Sequence, residues 1–99
     1  MVKVAIFARL VAKPGKEEAV AAFLASALPL AEAEPKTTVW FAVRMGKAEF
    51  AIFDAFPDDA GRQAHLNGPI AAALMANASE LLAEPPDIRP IDVLAAKLS

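Results

Sequence analysis

From Glu49 to Phe56 the chain alternates, with apolar side chains in both rows. Phe50, Ile52, Asp54 and Phe56 point one way, and Glu49, Ala51, Phe53 and Ala55 the other. Such a pattern predicts a strand covered on both faces. Val2 to Val11 predicts a second strand, with Val4, Ile6, Ala8 and Leu10 in one row and Ala5, Phe7, Arg9 and Val11 in the other. Thr37 to Arg44 predicts a third, with Val39, Phe41 and Val43 opposite Trp40, Ala42 and Arg44. The short loop Met45 to Ala48, which contains Gly46, joins it to the Glu49 strand as a hairpin. The last strand is expected over Asp87 to Lys97, where Pro90 implies an edge position or a bulge.

Helical spacing takes over between these strands. After the turn Ala12-Lys13-Pro14-Gly15, residues Lys16 to about Ala33 predict a helix whose first turn carries Glu17 and Glu18, where the helix dipole favours acids. Val20, Phe23, Leu24, Ala27 and Leu28 form its inward face. Pro29 removes one backbone hydrogen bond and crowds the preceding turn, so a kink or a separate final turn is expected there. Asp58 is a suitable N-cap for a helix running through Leu66. Asn67-Gly68-Pro69 then breaks the chain, and Pro69 suits the first turn of a further helix reaching about Ala83.

The order strand, helix, strand, strand, helix pair, strand fits an α+β fold. It is the ferredoxin-like split βαβ arrangement, with a four-stranded antiparallel sheet and helices on one face. Phe7, Trp40, Phe53 and Ile91 are expected on one face, and Val4, Ile6, Phe41 and Ile52 on the other. Neither face is then polar. A second copy of the chain, packed sheet to sheet in a homodimer, hides the face without helices.

Composition sharpens this picture. The chain has 99 residues, the size of one domain, and 57% of them are hydrophobic, more apolar surface than a small monomer hides. Charges or prolines interrupt every apolar run, and no basic n-region precedes an apolar core, so neither a membrane span nor a signal peptide is expected. Cysteine is absent, which excludes disulfides, thiol catalysis and thiolate metal sites and makes the cytoplasm the simplest address. The net charge of -2 is scattered, with no basic stripe for a nucleic acid backbone. One histidine without cysteine builds no zinc or copper site, and no glycine-rich phosphate loop indicates a nucleotide or flavin.

Several features together resemble the antibiotic biosynthesis monooxygenase domain, of the dimeric α+β barrel group. They are the order of elements, the Glu34-Pro35 step, the strand Phe50-Ala51-Ile52-Phe53-Asp54-Ala55-Phe56, and the helix Asp58 to Leu66 with His65, followed by Gly68-Pro69. The similarity spans nearly the whole chain; Lys36 stands where members usually carry glycine. The resemblance implies a homodimer and, for an active member, oxygenation of a small aromatic or quinol-like molecule by dioxygen with no metal or other cofactor. An electron-rich phenolate reduces dioxygen itself. The protein then needs an apolar pocket, a base and a group that stabilises the anion.

In that reaction His65 is the candidate base, its unperturbed pKa being roughly 6.5. Arg9 or Arg44 would stabilise an oxyanion, Trp40, Phe53 and Phe56 would stack on a planar substrate, and Asn67 would orient it. Each residue also has a structural alternative. His65 can cross-link a helix end, Trp40 can belong to a dimer interface, and Arg9 and Arg44 can pair with strand carboxylates such as Glu49 or Asp54. Asp54, the odd polar residue in an apolar row, suits an ion pair near a strand end.

Overall fold

The structure, a computed structural model, describes residues 1–98. Its elements are β1 (Val4–Val11), α1 (Glu17–Ser26), α2 (Leu28–Glu32), β2 (Val39–Arg44), β3 (Glu49–Phe56), α3 (Asp59–Leu66), α4 (Pro69–Leu81) and β4 (Asp87–Asp92). The strands form one antiparallel sheet in the order β2-β3-β1-β4. This is the ferredoxin-like topology that the alternation of periods predicts. β1 and β3 are central, and β4, which contains Pro90, is an edge strand, where a missing N–H costs no ladder bond.

The covered face is built from alternate residues. Ala8 and Leu10 of β1 and Phe50 and Ile52 of β3 pack against Val20 and Leu24 of α1, Leu74 of α4 and Leu82. Phe50, Phe56, Leu10 and Val20 are among the largest fully buried side chains. Among the described residues the opposite face carries no helix. There Phe41 is 58% and Val43 42% exposed, beside half-buried Phe7, Phe53 and Ile91.

Five expectations need correction. Trp40 does not share a face with Phe7 and Phe53, because it stands opposite Asp54 in the β2–β3 register and so belongs to the helix-covered side. Phe41, opposite Phe53, takes the open side instead. The one-residue offset was undecidable before the hairpin register was known, since both rows of β2 are apolar. The last strand stops at Asp92 rather than Lys97. Its partner β1 begins at Val4, opposite Asp92, and only Val93 gains one further backbone bond, to Lys3. Leu28 is 46% exposed rather than core, because the helix breaks at Ala27 and α2 turns Ala31 inward. Thr37 lies outside β2, its hydroxyl being bonded to Glu34. The break itself follows from Pro29, which sits in the first turn of α2.

Among the described residues no helix is long and apolar enough to cross a membrane.

Candidate functional site

Three ionisable side chains meet beneath the helices. Asp54 enters from β3, in the row that otherwise holds Phe50, Ile52 and Phe56, and is 1% exposed. His65 comes from the last turn of α3 and is 7% exposed. Glu34 comes from the turn that follows α2. The His65 Nε2 lies 2.9 Å from Asp54 Oδ2, and Nδ1 lies 2.7 Å from Glu34 Oε1. The two carboxylates thus clamp one imidazole from opposite sides.

Local sequence explains each position. Pro35 disfavours helical backbone at Glu34, so the chain leaves α2 and turns. Thr37 N–H donates to the Glu34 carbonyl at 3.2 Å, and the Thr37 hydroxyl donates to Glu34 Oε1 at 2.7 Å, which holds the carboxylate in place. α3 starts where Asp58 accepts a hydrogen bond from Gly61 N–H at 2.9 Å. Gly61, His65 and Gly68 follow i, i+4, i+7 spacing, a stripe that faces the Glu34 turn. A Cβ at Gly61 would lie 3.1 Å from Lys36 Cβ, and one at Gly68 would lie 3.2 Å from Glu34 Oε2. Two glycines therefore let the helix approach closely enough for the histidine between them to reach Glu34. The Phe56 ring sits against the imidazole, with ring centroids 5.4 Å apart.

Electrostatics follow from this geometry. Burial by itself pushes the His65 pKa down, but the hydrogen bonds and charges of Asp54 and Glu34 outweigh it and raise the pKa from 6.5 to about 9. At neutral pH the ring is an imidazolium that donates both N–H groups. It has no lone pair with which to accept a proton, which reverses the role the sequence suggests for it. The array carries one excess negative charge, and two of its carboxylate oxygens, Asp54 Oδ1 and Glu34 Oε2, are buried without a hydrogen-bond partner. The buried indole N–H of Trp40, on the strand beside Asp54, is likewise unpartnered. Leaving such a group without a partner costs about 1–3 kcal/mol of desolvation.

Two voids flank the array. An apolar cavity of about 30 Å³ lies between the sheet and α3 and α4, walled by Ile6, Ile52, Ile70, Leu74 and Ile88, with Asp54 and His65 as its ionisable members. A surface recess of about 210 Å³ lies on the other side, with Glu34, Lys36, Thr37 and again His65 in its wall. The cavity has room for a water-sized molecule. Ile88, on the edge strand, is 38% exposed and forms its outer wall.

The structure brings only part of the predicted site together. His65 and Phe56 touch, and Trp40 stands next to Asp54 on the same face. Phe53 and Arg9 lie on the open side of the sheet, where Arg9 pairs with Glu49 and, at 3.3 Å, with Glu84. Arg44, at the far end of β2, donates to Glu18 at 2.9 Å, and its guanidinium lies over the Phe50 ring at 5.0 Å. Asn67 turns its amide back to the Gln63 carbonyl at 2.9 Å. Glu34 and Asp54 are the partners that sequence reasoning did not assign to the site. The signals were an acid in an apolar row and glycines one helical turn to either side of the only histidine.

No protein-family profile and no curated protein matches the chain. Solved structures do. NE2512 of Nitrosomonas europaea, a protein of unknown function, is 65% identical with a TM-score of 0.98, over 100% of this chain and 96% of that one. PA3566 of Pseudomonas aeruginosa is 22% identical with a TM-score of 0.81, over 96% and 97% of the two chains. An antibiotic biosynthesis monooxygenase is 15% identical with a TM-score of 0.78, over 93% and 99%. The chain therefore belongs to the family of NE2512, and it shares the ferredoxin-like α+β fold of PA3566 and of the antibiotic biosynthesis monooxygenase.

Proposed function

We propose that the protein is a cofactor-independent monooxygenase acting as a cytoplasmic homodimer on a small aromatic or quinol-like substrate. The observation that carries this reading is the Asp54–His65 pair in the wall of an otherwise apolar cavity, with one carboxylate oxygen still unpartnered. Asp54 Oδ1 accepts the proton of the substrate hydroxyl. The resulting phenolate gives one electron to dioxygen, forming a substrate radical and superoxide, and their combination makes a C–O bond. The peroxide anion so formed takes the proton back from Asp54, and loss of water, made from the terminal O–H and the hydrogen on the oxygenated carbon, leaves a carbonyl. His65 Nε2–H holds Asp54 Oδ2 and leaves Oδ1 free to meet the substrate hydroxyl. Admission of an aromatic ring requires Ile88 and Leu66 to move outward, because the cavity in its present state holds only about a water-sized guest.

The open sheet face supports the dimer. Phe41 and Val43 are exposed there beside Phe7, Phe53 and Ile91, and a second copy of the same face would cover them. His65 and Asp54 line the cavity, Trp40 and Phe56 stand beside them outside its wall, and Phe53 and Arg9 lie on the open face of the sheet.

The experiment is oxygen uptake with anthrone- or quinol-type substrates. Asp54→Asn and His65→Ala are expected to lower the rate by about 10²-fold or more, the usual contribution of acid–base groups. Rates equal to wild type remove both residues from the chemistry. Saturable ligand binding with no oxygen uptake supports a second reading, a non-catalytic small-ligand binder, favoured by the occupation of both His65 nitrogens.

A further inference from the structure

His65 lies in the wall of both voids, the inner cavity and the outer recess, and is the single ring between Asp54 and Glu34. We infer that the array is a proton exit: a proton taken by Asp54 from a hydroxyl in the cavity is matched by one released from His65 Nδ1 through Glu34 into the recess. This rests on the reading of Asp54 as proton acceptor and goes beyond it, by assigning Glu34 a task and giving the proton a direction.

The step balances. The ligand O–H bond breaks and an O–H bond forms on Asp54 Oδ1. Asp54 is then neutral and no longer holds the imidazolium. The His65 Nδ1–H bond breaks, the proton passes along the 2.7 Å hydrogen bond to Glu34 Oε1, and water in the recess removes it. His65 is left neutral with its proton on Nε2. The array begins as two carboxylates and one cation and ends as one carboxylate with two neutral groups, so its net charge does not change. The charge left by the departing proton resides on the phenolate oxygen, which accepts a hydrogen bond from the new Asp54 O–H. The ring need not turn, because each nitrogen keeps its own partner throughout. The return step, after oxygenation, is the same sequence reversed.

Neighbouring groups favour exit at Glu34. Thr37 already donates to Oε1, which steadies the acceptor, and Lys36 in the recess wall offers a positive charge beside the emerging carboxylic acid. On the cavity side the walls are apolar apart from Asp54 and His65, so the proton has no other ionisable route out among the lining residues. The unpartnered Glu34 Oε2, which lies 3.2 Å from where a Cβ at Gly68 would stand, is a second acceptor position on the same carboxylate.

The chain has a single histidine, so its imidazole nitrogens give unambiguous ¹⁵N signals. The probe is 4-nitrophenol, whose phenolate absorbs in the visible, added to ¹⁵N-labelled protein at a pH where the free probe is mostly neutral. Wild type is expected to bind it as phenolate, while Nδ1 moves from the protonated to the unprotonated range and Nε2 stays protonated. In Glu34→Gln the rate at which phenolate absorbance appears in stopped flow is expected to fall by about 10²-fold, because an amide accepts the Nδ1–H hydrogen bond but not the proton. Phenolate formation with His65 still doubly protonated overturns the exit and leaves Asp54 as acceptor. A probe that binds only as neutral phenol, or does not bind, overturns the acceptor reading and the exit with it. The wild-type spectra decide the matter even if Glu34→Gln fails to fold.

Discussion

The two faces of the sheet carry the same kinds of charge and treat them oppositely. On the covered face Asp54, His65 and Glu34 are held at 2.7–2.9 Å beneath helices, and the histidine pKa rises to about 9. On the open face Arg9 pairs with Glu49 and Glu84 with roughly two-fifths or more of each side chain in solvent. Water screens the second set and is kept from the first, so only the first is able to store a proton or hold a shifted charge state. The open face is organised instead by apolar area, with Phe41 at its centre of exposure. The candidate site and the proposed interface are therefore separated by one layer of backbone, with Asp54 and Phe53 of a single strand on opposite sides of it.

The contrast can be broken from the covered side first. Asp54→Ala leaves the imidazolium buried with one partner and is expected to lower stability by about 3–5 kcal/mol in urea unfolding. A loss no larger than that of an exposed substitution would show that the array is not tightly coupled. The pH dependence comes next. The folded His65 pKa lies above the unfolded value of 6.5, so its stabilisation is fully present below about pH 6.5 and is lost as pH rises through about 9. The urea midpoint should fall between pH 6.5 and 10, by the equivalent of roughly 3 kcal/mol, and His65→Gln should flatten that limb of the profile.

On the open side, Phe41→Asp places a charge in the middle of the proposed interface. It should shift the dimer to monomer in analytical ultracentrifugation while the far-ultraviolet spectrum stays unchanged, with dissociation strengthened about tenfold or more. Unaltered mass for this variant would remove the face from the interface. Arg9→Gln is expected to do least, leaving the unfolding midpoint within reproducibility and losing even that small effect in high salt. A large effect there would mean that the Arg9–Glu49 pair is buried in the assembled protein.

Much of this was legible in the chain. Alternation with period two over Glu49 to Phe56, helical spacing from Lys16 and the proline and glycine punctuation lead directly to the ferredoxin-like order of elements. Asp58 as N-cap and Pro29 as the helix break are local chemistry, decided by residues within a turn of one another. The only histidine drew attention as the candidate for chemistry.

Its partners were not legible, because they depend on contacts at long range. Glu34 is 31 residues from His65 and reaches it through two glycines that permit close approach. The side of Trp40 depended on a hairpin register that two apolar rows leave ambiguous. Most of all, sequence by itself determined that a histidine was present, whereas the tertiary structure decided its charge. A free imidazole is a base near neutrality. The same ring clamped between two buried carboxylates is an acid, because pKa is set by surroundings that only the folded chain assembles.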